Sequence, residues 1–134
     1  MVGLVTSVSL WELVKHAGSW IVNLKRASAA RKEESVNALR QVILAAQKTS
    51  VYVRQISETG RKDHKTEAEL SIAWTELSFK LEDLGIDALA QRCRMKGKHW
   101  ADPCQFESEE LEKADIGLEK MESLASEILA EVRS

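Results

Sequence analysis

Leu70, Ala73, Trp74, Leu77, Leu81 and Leu84 return every three or four residues, and this spacing constrains the chain more than any other feature. Apolar side chains at that interval share one face of an α-helix, whereas a half-buried strand needs every second position. The same interval recurs at Leu10, Leu13, Val14, Ala17, Ile21 and Leu24, and at Val36, Leu39, Ile43, Ala46, Ser50 and Val53. It recurs again at Leu111, Ala114, Leu118, Met121, Ala125, Ile128 and Val132. One-sided stripes on several helices bury themselves against each other. The sequence therefore predicts an all-α, antiparallel up-down four-helix bundle, with residues 1–134 forming a single domain.

Breaks between the stripes set the expected boundaries. The chain has only six glycines and one proline, too few for the many tight turns of an all-β protein. Ser9 with Glu12, and Thr66 with Glu69, have the spacing of capping boxes. A turn is expected near Ser28 to Lys32, where the apolar phase slips by one residue. Gly60 suits the position just past a helix end. Gly85 interrupts the third stripe, so the third helix is kinked or split there. Asp87 is then the N-cap of a short extra helix ending at Gly97. The last helix is expected to run from about Pro103 or Ser108 to Val132; Asp102, Pro103 and Gln105 suit a start there, with Trp100 as a plug before it.

Net charge is −2, unevenly spread. Residues 1–66 carry 11 basic and 5 acidic side chains, and residues 67–134 carry 8 and 16. The plain expectation is that basic early helices lie beside acidic late ones. No apolar run approaches the roughly 18–20 residues of a membrane span. The first twenty residues lack a signal-peptide pattern. Two cysteines without framework spacing point to a reducing compartment, and the cytoplasm is expected.

The densest run of chemistry-bearing residues is "RCRMKGKHWADPCQF", Arg92 to Phe106. Cys93, His99 and Cys104 are too widely spaced for a usual zinc site and lack a fourth ligand, so no metal or cofactor is expected. Arg92, Arg94, Lys96 and Lys98 are candidates for anion contact. Cations also complement the C-terminal end of a helix, and the chain is slightly acidic overall, so nucleic acid is not the favoured partner. "RMKGKH" has the form R-x4-H. It resembles the short motif of the HEPN superfamily, small all-helical domains that often act as ribonucleases in toxins and defence systems. That resemblance implies a role in RNA cleavage for Arg94, which would hold the phosphate, and His99, which would move protons. It covers six residues only.

Trp11 and Trp20 lie beside the first helix's stripe rather than in its centre, which makes them candidates for a partner surface. Trp74, Leu77 and Met121 are candidates for lining a pocket between helices. The sequence holds no phosphate loop, dinucleotide fingerprint or nucleophile elbow. The expected function is a non-enzymatic interaction or adaptor module that pairs with itself or another protein. The alternatives are a HEPN-like ribonuclease and, more weakly, a small-ligand binder.

Overall fold

The computed structural model describes residues 18–102 and 108–133, the side chains of 108–116 excepted. Five helical segments make up this part, with no strand among the described residues. They are α1 (18–25), α2 (Ala29–Thr59), α3 (His64–Asp83), α4 (Asp87–Ala101) and α5 (Ser108–Arg133). No described helix is long and apolar enough to cross a membrane.

Local chemistry explains each boundary. Ser28 caps α2, its hydroxyl accepting from the Arg31 N–H at 3.2 Å. The turn before α2 thus falls at the start of the expected window, and the helix begins earlier than the apolar phase suggests. Gly60 ends α2 at φ 69°, a left-handed conformation that disfavours any side chain, and its N–H reaches the Ile56 carbonyl at 2.7 Å.

The cap of α3 is Asp63, not Thr66. Its carboxylate accepts from the Lys65 N–H at 3.3 Å and from the Thr66 hydroxyl. Thr66 is drawn into the helix because Asp63, three residues earlier, competes for the same N-terminal N–H groups.

Gly85 splits rather than kinks the third stripe. It sits at φ 80°, with Gly85 N–H bonded to the Glu82 carbonyl and Ile86 N–H to the Leu81 carbonyl. This is a Schellman turn, closed by the buried side chain of Ile86. Asp87 is the first residue of α4 rather than its cap, and Ile86 holds the cap position.

Gly97 does not end α4, and the segment is no short extra helix. The helix runs on through Lys98, His99 and Trp100 to Ala101. The glycine serves packing instead. A methyl group there would meet the Ser71 carbonyl at 3.1 Å and the Thr75 nitrogen at 3.2 Å, so α3 and α4 touch nearly backbone to backbone. The Ser71 hydroxyl seals the contact by donating to the Gly97 carbonyl at 2.8 Å.

The core is one continuous apolar cluster from Trp20 to Val132. In α2 the buried seam runs Ser35, Leu39, Val42, Ala46, Thr49, Val53, Ile56, rotated by one residue from expectation at alternate steps. Val36, Ile43 and Ser50 are only half-buried. Ser35 and Thr49 can sit inside because each hydroxyl donates to the carbonyl four residues back. Thr49 also accepts from the Trp74 indole N–H at 2.9 Å, linking α2 to α3 through a satisfied polar pair. α2 packs on α3 and α5, and α3 packs on α4.

Candidate functional site

The corner around α4 divides the expected anion cluster in two. On a helix, positions three and four apart share a face. Arg92, Lys96 and His99 accordingly form one buried side of α4. There Gly117 of α5 makes the room. A methyl group on it would stand 2.8 Å from an Arg92 Nη and 3.6 Å from Lys96 Nζ. Burial lowers the pKa of the Arg92 guanidinium, and its Nε has no hydrogen-bond partner among the described residues.

Arg94 faces elsewhere. It pairs with Glu82 of α3, and its guanidinium lies 5.8 Å from the Phe79 ring centroid. Lys98 is exposed. The four cations therefore form no single anion-facing surface.

Arg94 and His99 do not converge either. Five residues along a helix separate two side chains by about 140° around its axis. His99 is 8% exposed and packs edge-on against Trp100 at 4.8 Å between centroids. Burial, and then the charge of Lys96, hold its pKa down to about 4. An imidazole neutral and enclosed at pH 7 is a poor proton shuttle for a large polymer. The expectation that the two residues share a site fails because Gly97 lets the helix continue between them.

The other expected residues are also placed by packing. Trp20 is 6% exposed, inside the chain's own core with Leu24 one turn on, so it is not a surface for partners. The α1 stripe turns by one residue, which brings Trp20 inward and leaves Val22 exposed. Trp11 lies outside the described residues. Trp74, Leu77 and Met121 are buried in the core. A cavity of about 260 Å³ lies between α1 and the Schellman turn, where Trp20, Leu84 and Gly85 meet Arg31. Cys93 is buried, Cys104 lies outside the described residues, and no described group of His, Cys, Asp and Glu could hold a metal.

The most unusual surface lies on α2 and α3. Leu44 and Val51 are 63% and 61% exposed, and Ile72 and Phe79 are 60% and 55% exposed. Each pair is seven residues apart, two turns of one helix face. Both pairs lie opposite the buried seams. Between them runs a line of bridges from α2 to α3: Lys48 with Glu69 at 3.6 Å, and Lys80 donating to Gln41 at 3.0 Å. The partners ascend α2 as they descend α3, so the two apolar stripes share one outer face.

Sequence reasoning missed this face because it followed only the strongest periodicity on each helix. A second apolar repeat of seven on the polar side was the available signal. No family model, curated protein or solved structure matches this chain.

Proposed function

We propose that this chain is a helical interaction module whose working surface is the outer face of α2 and α3. One observation carries the reading: four large apolar side chains, all more than half exposed, repeat at seven-residue spacing on two adjacent helices. Single exposed apolar residues are ordinary on any protein. Paired stripes in register on neighbouring helices have the form of a helix-docking surface. The scaffold for that surface is an antiparallel four-helix bundle. It is supported by the packing of α2 on α3 and α5, by that of α3 on α4, and by the approach of Arg92 and Lys96 to Gly117.

The test is site-specific photo-crosslinking in cells that make the chain at native level. A photoreactive residue at Val51 or Ile72 is expected to capture protein adducts, whereas one at exposed Lys98 does not. Failure to form adducts at both Val51 and Ile72 would rule out the module.

A further inference from the structure

Resting on that reading, we propose that the occupant of this face is a second copy of the chain, with α2 of each protomer docked antiparallel on α3 of the other. The inference comes from how the two stripes match. In one register Leu44 meets Phe79 and Val51 meets Ile72. The same register sets Arg40 opposite Asp83, Arg54 opposite Glu69, and Glu58 opposite Lys65. Gln47, at the centre, faces Glu76; within the single chain its amide donates to Glu122 at 2.8 Å, and Glu69 pairs with Lys48. All of these side chains are exposed in the single chain. Across this span the three- and four-residue steps give two apolar pairs, three pairs of opposite charge and one glutamine–glutamate pair.

Other arrangements match less well. Sliding α2 by seven residues in either direction keeps only one apolar pair. Turning α2 parallel to α3 can retain both apolar pairs, but it places Arg40 against Ala68 and leaves Glu58 beyond the end of α3. Pairing α3 with α3 sets Glu69 against Glu82, a like-charge contact. Pairing α2 with α2 leaves Arg40 and Arg54 facing glutamines. Because α2 and α3 lie side by side and run in opposite directions, a two-fold axis running along them sets α2 of each protomer over α3 of the other and closes the assembly as a dimer.

The test uses the full chain and two surface variants, Val51→Glu and Ile72→Lys, with helicity checked by circular dichroism. Sedimentation over a concentration series is expected to show a dimeric wild type. Each variant alone is expected to be monomeric where the wild type is dimeric. An equimolar mixture of the two is expected to recover the dimer. In the mixed pair the introduced carboxylate meets the introduced ammonium in one zipper, and Val51 meets Ile72 in the other. A wild type that stays monomeric to millimolar concentration overturns the proposal, as do variants that remain dimeric alone or a mixture that does not recover. A monomeric wild type that still cross-links to a different protein at Val51 and Ile72 overturns the second copy but leaves the interaction module standing. Absence of any cross-link overturns both.

Discussion

The Ser71 hydroxyl donates to the Gly97 carbonyl at 2.8 Å, fixing α3 against α4 where α4 has no side chain to hold them apart. Gly97→Ala is expected to destabilise the fold by about 1–3 kcal/mol, the usual cost of overpacking. The new methyl group must push against backbone atoms of Ser71 and Thr75 and against the Thr75 hydroxyl. Thr75→Ala in the same chain should recover part of the loss by clearing the hydroxyl. Urea unfolding of the two variants measures both effects.

His99 makes stability depend on mildly acidic pH. Its folded pKa, about 4, lies below the 6.5 of an unperturbed imidazole. Between those values the unfolded chain binds a proton that the folded chain refuses. This part of the stability is complete above pH 6.5 and falls as pH drops toward 4, by at most about 3 kcal/mol. His99→Gln should flatten the slope in that window. A two-dimensional NMR titration should place His99 well below the ordinary histidine range.

Cys93 is expected to be inert in the native protein. Burial pushes its thiol up to about 12, outweighing the opposite pull of Lys96 and Arg92, and only the thiolate is a nucleophile. In a Cys104→Ser background, an alkylating reagent at about pH 8 should label Cys93 only at the rate of unfolding. Fast labelling without denaturant would contradict its placement.

Tyr52 is the only tyrosine, so its ionisation can be followed by absorbance alone. Burial, opposed by the Asp63 N–H and assisted by Glu67, raises its pKa to about 12. The phenol donates to the Glu67 carboxylate at 2.8 Å and accepts from the Asp63 N–H at 2.7 Å, tying the loop between α2 and α3. The folded chain should titrate about two pH units above the unfolded one. Stability should fall as pH rises through that interval, because only the unfolded chain then releases the proton.

The stripe Leu70, Ala73, Trp74, Leu77, Leu81 and Leu84 was legible except at half-buried Ala73, since leucines and a tryptophan leave no competing face. The break at Gly85 was legible for the same reason: it interrupts a strong pattern. The α2 seam was read one residue off at alternate steps because Thr49 and Ser35 look polar in sequence. Their bonds to the preceding turn, which allow burial, are three-dimensional facts. Gly97 was misread because a glycine after a basic run has two uses, ending a helix or admitting another, and only the position of α3 distinguishes them. The corner from Arg92 to His99 drew attention by composition, yet packing scatters its side chains to opposite sides of α4. The outer face of α2 and α3 was hidden because each of its four residues is ordinary when taken alone.

The short turn from Asp83 to Asp87 also bears on the order of folding. α3 and α4 are neighbours in sequence and pack extensively on each other, whereas α2 and α5 meet across more than half the chain. Closing a short loop costs less entropy than closing a long one, so the α3–α4 hairpin can form while the rest is still open. α2 then gains its second wall only when α5 arrives. A nascent chain thus carries a half-covered α2 until α5 is made, and the interval before α5 docks is its period of greatest exposure to misassembly.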